Sequence, residues 1–192
     1  MKKESFGKIL LGKWDTKTIV GVAIGIALFG VLMVYGSITV FTNTNLSLAM
    51  IVPVIVGGLF GPLPAALACG VGNILADLIG GWGFWIDWAI GNAVLGFIVG
   101  SLKLYGANID EGVFDVKHMV IYAVLAVLGN VIAFGVVTPI ATHLIQGGEL
   151  KITIAQGWVA AASNATVLLV AGIPILKALA ARNARGTNLT KE

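Results

Sequence analysis

Long apolar runs alternate along the chain with short clusters of glycine, proline and polar residues, and this pattern predicts membrane-spanning helices. A helix needs roughly 20 mostly apolar residues to cross the hydrocarbon core of a bilayer. The second and third predicted segments are short and meet at Gly61-Pro62, which predicts a tight helical hairpin. The six predicted segments are residues 18–36, 46–60, 64–79, 87–104, 116–140 and 154–181. We therefore expect an all-α membrane protein with one six-helix domain over residues 1–192, in which residues 1–17 form a cytoplasmic or interfacial segment and residues 182–192 a cytoplasmic tail.

The distribution of charge supports this pattern and predicts the orientation of the helices. The chain is 58% hydrophobic and only 11% charged, whereas a typical soluble domain is about 25% charged. No lysine or arginine lies between Ile19 and Leu102. With six spans, every basic residue except Lys151 falls on the face that holds both termini, and basic residues accumulate on the cytoplasmic side of membranes. We therefore expect cytoplasmic termini, lipid around the helices and no nucleic-acid partner.

Side chains that catalysis or metal binding would require do not come together in the sequence. Ser163 is an isolated serine within a predicted span, and His118 and His143 fall near opposite membrane faces. A hydrolase would need a serine–histidine pair or paired aspartates in a recognisable motif. The histidines, the acids and Cys69 also lack metal-ligand spacing. We therefore expect neither an enzyme nor a bound metal or cofactor.

Polar side chains inside the predicted spans indicate a binding pocket, because burying each of them in lipid is costly. They fall in the outer half of the bundle or at its midplane, which predicts a pocket that opens outward and is closed toward the cytoplasm. Asn73 and Asp77 are four residues apart and share one helix face. The candidates from the spans are Asn73, Asp77, Asp87, Asn92, Asn130 and Asn164.

Aromatic residues gather at the same outer end, beside the candidate carboxylates. Tryptophan anchors helices at membrane interfaces, and that role is an alternative for each of these residues. A planar ring stacked on tryptophan, with Asp or Asn binding its polar edge, would also use this composition. A polar loop before the second span could close over such a ligand or serve only as a turn. The outer candidates are Asn43, Asn45, Trp82, Trp85, Trp88 and Trp158.

Small residues form a smooth stripe on the cytoplasmic half of the first span, where Ala23 and Ala27 are four residues apart. Such stripes let another helix approach closely. We expect the similar pairs Gly57/Gly61 and Gly96/Gly100 to serve packing within the bundle of this chain.

Taken in order, several motifs resemble the substrate-binding S component of energy-coupling factor (ECF) vitamin transporters, in the riboflavin-type or hydroxymethylpyrimidine-type branch. The resemblance covers residues 18–105 most clearly, and the remainder is similar by topology. The motifs are Ala23-x-x-x-Ala27, Asn43-Thr44-Asn45, Phe60-Gly61-Pro62, Gly72-Asn73-x-x-x-Asp77-Leu78-Ile79-Gly80 and Trp85-x-x-Trp88.

The resemblance implies a subunit that binds a vitamin or vitamin precursor from outside, in the plasma membrane of a prokaryote. Its partners would be a transmembrane coupling subunit (T component), met by Ala23 and Ala27, and two cytoplasmic ATPase subunits. The carboxylates favour a small aromatic heterocycle with N–H donors, such as a hydroxymethylpyrimidine- or pyridoxine-like ring, and riboflavin is the alternative. A proton-coupled secondary transporter with Asp77 and Asp87 as carriers is a second hypothesis.

Overall fold

The computed structural model describes residues 6–42 and 44–189, which form helices and one small antiparallel β-sheet. Two of the long helices contain a π-helical turn, and short 3-10 turns precede α3 and follow α5. The elements are α1 (Phe6–Leu11), α2 (Thr16–Tyr35), β1 (Ser37–Phe41), β2 (Thr44–Ser47), α3 (Ile51–Phe60), α4 (Pro62–Gly80), α5 (Ile86–Gly100), α6 (Val116–Ile132), a first π segment (Ala133–Val137), α7 (Thr138–Gln146), α8 (Leu150–Val167), a second π segment (Leu168–Gly172) and α9 (Ile173–Leu189).

Five helices of the described chain are long and apolar enough to cross a membrane. By length and composition these are Thr16–Tyr35, Pro62–Gly80, Ile86–Tyr105, Val116–Gln146 and Leu150–Arg185. A shorter apolar helix, Leu48–Phe60, stands where the second span was expected. Each predicted segment therefore has a helix, whereas the count of six crossings and the cytoplasmic side of the termini stay predictions.

A β-hairpin connects α2 to α3, and the sequence pattern did not predict it. Its strands pair from Ser37 opposite Ser47 to Phe41 opposite Thr44. The isoleucine, threonine and valine residues of β1 favour extended backbone because their branched side chains fit a pleated surface. The following helical segment consequently begins at Leu48, two residues later than predicted.

Glycines allow α3, α4 and α5 to approach closely. Gly61 has a φ of 98°, a conformation that favours glycine, and Pro62 then begins α4 without needing a backbone N–H donor. A Cβ atom added at Gly100 would lie 2.8 Å from the Gly61 carbonyl oxygen, and one at Gly96 would lie 2.6 Å from that of Ala65. The predicted packing of the Gly96/Gly100 pair within the bundle is thereby confirmed.

The end of the bundle where α2 begins carries a set of ionic contacts. Asp15 caps α2: its carboxylate accepts hydrogen bonds from the Thr18 N–H at 2.9 Å and the Thr18 hydroxyl at 3.1 Å. These hydrogen bonds hold the pKa of Asp15 below its usual value. Lys17 then pairs with Asp110 at 2.9 Å. Because the hairpin follows the other end of α2, this ionic end and the hairpin end lie at opposite ends of the bundle.

The first π segment keeps one face of the long α6–α7 helix turned inward. In a uniform α-helix, residues twelve positions apart point about 120° away from each other, since each residue turns the helix by about 100°. A π turn is wider and takes up about one additional residue. Asn130, Phe134, Thr138 and Thr142 therefore all remain buried although they are spaced four apart.

The second π segment receives a hydrogen bond from a side chain in the core. Tyr122 is fully buried, and its hydroxyl donates to the Leu168 carbonyl oxygen at 2.9 Å. A π turn changes the backbone hydrogen-bonding pattern, and a buried carbonyl group needs a partner. Tyr122 thus supplies a hydrogen bond to this segment and links α6 to it.

Candidate functional site

A cavity of about 500 Å³ lies at the hairpin end of the bundle. Pockets of about 300–1,000 Å³ are typical of small-molecule sites. The hairpin and α2 form one wall, α4, α5 and their connecting loop form the second, and the chain from the first π segment to α8 forms the third. In that order the lining residues are Met33, Thr39 and Asn45; Asn73, Asp77, Trp82, Trp85, Trp88 and Asn92; and Phe134, Thr142, Gln146, Gly148, Glu149, Ile152, Thr153, Gln156, Ala160 and Asn164.

A chain of hydrogen bonds joins the polar side chains of the second wall. Asn92 Nδ2 donates to Asn73 Oδ1 at 2.9 Å, and Asn73 Nδ2 lies 3.4 Å from Asp77 Oδ2. The backbone N–H of Trp85 donates to the same oxygen at 3.0 Å. The spacing of Asn73 and Asp77 on α4 brings them to one face, so this chain connects two helices and the loop between them.

The loop between α4 and α5 holds its tryptophans through backbone contacts. Gly81 and Gly83 have φ values of 65° and 92°, which turn the chain back toward α5. Trp85 Nε1 donates to the Trp82 carbonyl oxygen at 2.8 Å. One turn later, the ring of Trp88 lies 5.9 Å from that of Phe134, measured between centroids. Aromatic surface therefore flanks the Asp77 carboxylate.

The third wall is tied to the hairpin by Gln156, whose Nε2 donates to the Thr42 carbonyl oxygen at 3.0 Å. Thr153, Ala160 and Asn164 join Gln156 on the face of α8 that lines the cavity. Their spacing of three, four and four residues is that of a single helix face. This wall contributes mainly hydroxyl and amide groups, which orient a ligand without adding charge.

Asp77 and Glu149 are the acidic residues that line the cavity, and no lysine, arginine or histidine of the described chain lines it. Asp77 is 5% exposed, whereas Glu149 is exposed in the turn between α7 and α8. Within residues 6–42 and 44–189, neither acid forms an ion pair. The cavity is therefore negatively charged when these groups are ionised.

Asp87 lies behind the cavity rather than in it. Its side chain is fully buried, and the Thr142 hydroxyl hydrogen-bonds to Asp87 Oδ2. Asp87 Oδ1 and Thr138 Oγ1 have no hydrogen-bond partner among the described residues. Asp87 is close enough to Asp77 for the two carboxyl groups to interact electrostatically.

Eight of the predicted pocket residues line the cavity: Asn45, Asn73, Asp77, Trp82, Trp85, Trp88, Asn92 and Asn164. Three others, Asp87, Asn130 and Trp158, do not. Asp87 faces α7, and Asn130 Nδ2 donates to a carbonyl of its own helix at 2.8 Å. Asn43 lies outside the described residues. Whether the eight residues bind a ligand stays a prediction.

Trp158 points away from the cavity and is 51% exposed. Its ring packs beside Gly135, where an added Cβ atom would lie 3.4 Å from it. The side chain therefore covers the outside of the first π segment. This position suits the interfacial role that the sequence left open for each tryptophan.

Eleven lining residues were not predicted from the sequence, most of them on the third wall. The spacing of Thr153, Gln156 and Asn164 on one helix face was the available signal. The missed residues are Met33, Thr39, Phe134, Thr142, Gln146, Gly148, Glu149, Ile152, Thr153, Gln156 and Ala160, of which Gly148 contributes backbone alone.

The predicted docking residues Ala23 and Ala27 are both exposed on the outer surface of α2. The buried positions of α2 are Thr18, Val22, Gly25, Phe29 and Gly30, on its opposite face. The alanine stripe is therefore available to another helix.

Sequence and structure comparisons agree on one family. Residues 13–181 match the family model described as ECF-type riboflavin transporter, S component. The chain is 38% identical over 180 residues to a UPF0397 protein of Aliivibrio fischeri (strain MJ11), covering 92% of this chain and 97% of that one. A UPF0397 protein of Streptococcus pneumoniae (strain Hungary19A-6) is 31% identical over 180 residues, covering 94% and 98%.

A solved structure described as FolT bound with folic acid has a similar fold, with a TM-score of 0.60. The match covers 86% of this chain and 95% of that one at 20% sequence identity, and so bears on the fold alone. The resemblance to an S component is confirmed. The chain belongs to the family of ECF-type riboflavin transporter S components, and it is a multi-pass membrane protein that serves as a substrate-binding transporter subunit of the vitamin type rather than as an enzyme.

Proposed function

We propose that the chain is the high-affinity substrate-binding subunit of an ATP-driven ECF importer, and that the cavity binds a small vitamin or vitamin precursor with a planar heterocycle. The observation that carries the proposal is the tryptophan-flanked cavity with Asp77 on its wall. Planar rings stack on tryptophan, and a carboxylate accepts hydrogen bonds from ring or amino N–H groups. A hydroxymethylpyrimidine- or pyridoxine-like ring meets both requirements.

Riboflavin is the alternative ligand, supported by the description of the matching family model. Folic acid is a poorer candidate, although FolT carries that name in its description. Folic acid has two carboxylates, and the lining acids Asp77 and Glu149 would repel them in a cavity that no described basic residue lines. The likeness to FolT therefore supports the fold and not its ligand.

The proposed partners are a T component and two ATPase subunits, as in other ECF importers. The exposed Ala23/Ala27 stripe on α2 supports docking of a partner helix, because small residues let helix backbones approach closely. We place the cavity on the outer face and the ionic end in the cytoplasm, following the distribution of basic residues.

Ligand binding to the purified protein tests the proposed site. Asp77→Ala and Trp85→Ala, examined separately, are each expected to weaken binding at least about tenfold, equivalent to about 1.4 kcal/mol. Trp158→Ala is the matched control for Trp85, since its ring lies outside the cavity. Mass spectrometry of co-purified small molecules would identify the ligand. Unchanged affinity in both variants would remove the cavity from consideration.

Uptake by cells that express the complete importer tests the proposed docking surface. The double variant Ala23→Leu/Ala27→Leu is expected to bind ligand normally and to lose uptake, because leucine would separate the two helices. Ala162→Leu on the exposed face of α8 is the control and should leave uptake intact. Normal uptake by the double variant would show that the stripe does not dock.

A proton-coupled secondary transporter remains the second candidate, favoured by the buried Asp87 carboxylate with one unpartnered oxygen. Intramembrane acids of this kind occur in proton relays. Reconstitution of the chain alone into vesicles separates the two functions. Accumulation of substrate driven by a proton gradient would support the secondary transporter and contradict the ATP-driven subunit.

A further inference from the structure

We infer that the cavity selects a positively charged ligand: a planar heterocycle with a protonated amine or a cationic ring nitrogen, whose charge lies against the Asp77 carboxylate. The inference rests on the proposed function and adds the charge of the substrate. It depends on three features of the cavity: a carboxylate oxygen without a described partner, acidic charge that no lining base of the described residues compensates, and aromatic walls.

The first feature is an unpartnered acceptor aimed into the cavity. Both hydrogen bonds to the Asp77 carboxylate, from Trp85 N–H and Asn73 Nδ2, use Oδ2. Oδ1 has no hydrogen-bond partner among the described residues, although Asp77 is only 5% exposed and lines the cavity. A buried carboxylate needs a compensating charge or hydrogen-bond donor, and a cationic N–H group placed in the cavity would supply both.

The second feature is that no basic residue in the described part of the chain compensates the negative charge of the cavity. Glu149 adds a second acid at the rim, and Asp87 lies within electrostatic reach of Asp77. Lys151 is near Glu149 in sequence, but it is exposed and does not line the cavity. The salt bridges of the described residues all involve other acids, at the ionic end. An entering cation would therefore meet acids that have no other cationic partner.

The other polar side chains of the third wall do not change the charge of the cavity. Asn164 and Gln156 are amides, and Thr142 and Thr153 are hydroxyls, so each can donate or accept a hydrogen bond. These groups can bind a neutral or a charged ligand. Selection by charge must then come from Asp77 and Glu149.

The aromatic walls favour the same class of ligand. Trp82, Trp85 and Trp88 line the cavity around Asp77, and Phe134 faces Trp88. Aromatic faces attract cations, with tryptophan the strongest, and the attraction increases when the cation is removed from water. A cationic ring can therefore stack on a tryptophan while its N–H group approaches Asp77 Oδ1. A neutral ring gains the stacking alone, and an anionic ring is repelled by the carboxylate.

Two series of compounds that differ only in charge test the inference. Pyridoxamine, pyridoxine and pyridoxic acid carry an ammonium, a hydroxyl and a carboxylate on one pyridine ring. The second series places an aminomethyl, hydroxymethyl or carboxyl group on one aminopyrimidine. Affinities for the purified full-length chain are measured by calorimetry at near-neutral pH, with riboflavin as a neutral ligand of larger size. The cationic member of at least one series is expected to bind about tenfold tighter than its neutral partner, and the anionic member weakest.

Variants then assign the preference to particular acids. Asp77→Asn keeps an oxygen acceptor for the Trp85 N–H and removes the charge, and it should reduce the cation preference to less than about threefold. Glu149→Gln at the exposed rim should reduce it by a smaller factor. Glu111→Gln makes the same change at the ionic end and should leave the preference unaltered. A thermal melt of each sample in detergent establishes that the variants are folded.

The outcomes separate the inference from the proposed function. Equal or tighter binding of the neutral member in every series that binds, or binding of riboflavin alone, overturns the charge selection and leaves a heterocycle-binding subunit in place. A cation preference that survives in folded Asp77→Asn also overturns the assignment. If no compound of either series and no riboflavin binds to the folded chain, the proposed ligand class fails and the inference fails with it.

Discussion

Gly91 lies where α5 meets α7, and its replacement by alanine is expected to push these helices apart. A Cβ atom added at Gly91 would overlap Thr138 Oγ1 and would lie 3.4 Å from a ring carbon of Phe134. Thr138 is 1% exposed, so its side chain has no room to move away. Overpacking of this kind costs about 1–3 kcal/mol, whereas alanine is favoured over glycine in a helix by about 1 kcal/mol. The overlap should therefore dominate.

A second substitution removes the overlap and tests this reasoning. Thr138 Oγ1 has no hydrogen-bond partner among the described residues, so Thr138→Ala removes the obstructing atom without breaking a hydrogen bond. In the Thr138→Ala background, Gly91→Ala is expected to be neutral or to stabilise the fold by up to about 1 kcal/mol. The two substitutions should thus show a coupling of about 1–3 kcal/mol. Gly135→Ala is the control, because its Cβ would make an ordinary contact of 3.4 Å with Trp158.

Equilibrium unfolding in mixed detergent micelles, followed by tryptophan fluorescence, measures the four free energies of unfolding. Ligand binding to the same samples is expected to weaken in Gly91→Ala, because α5 carries Trp88 and Asn92 and the facing segment carries Phe134 and Thr142. The double variant should recover that affinity. Effects that add within about 0.5 kcal/mol would show that no overlap exists and would refute the proposed contact.

Two further predictions concern carboxylates outside the cavity. Asp87→Ala removes the carboxylate acceptor of the Thr142 hydroxyl and leaves it the Thr138 carbonyl oxygen at 2.8 Å, and it should lower the free energy of unfolding by about 1–3 kcal/mol. Asp87→Asn keeps an acceptor and should cost less than about 1 kcal/mol, so equal losses would contradict the hydrogen bond. The lowered pKa of Asp15 means that its cap stabilises α2 at pH values above the unfolded pKa of about 3.9 and that this contribution is lost as the pH falls through the lower folded value. Asp15→Asn should remove that part of the acid dependence in pH-titrated unfolding, and identical acid profiles for both proteins would contradict the cap.

The part of the site that lies on neighbouring segments could be predicted from the sequence. Asn73 and Asp77 share a helix face by their spacing, and the short glycine-rich loop requires Trp85 to return close to them. The close approach at Gly96 and Gly100 followed from the small-residue spacing alone. These predictions needed only the period of one helix or the length of one loop, and neither depends on distant contacts.

Apart from Asn164, the third wall was not predicted, because it depends on how distant helices are placed and rotated. Asn130 was expected in the pocket, yet Phe134 and Thr142 line the cavity instead. The first π segment lies between Asn130 and Thr142 and alters the phase of the helix, which a count of 3.6 residues per turn does not include. The hairpin was missed for a related reason: its strands are only five and four residues long and form a sheet only by pairing with each other.

The π segments carry a consequence for chain length. A π turn is equivalent to one residue inserted into an otherwise regular α-helix. Deleting one residue from Ala133–Val137 would therefore let the turn tighten to a plain α-helix while Thr142 kept its place against Asp87. Each of the two longest helices can accordingly lose one residue at its π segment without a rotation of one helix end relative to the other. Length differences of one residue at either π segment are therefore compatible with the same cavity wall.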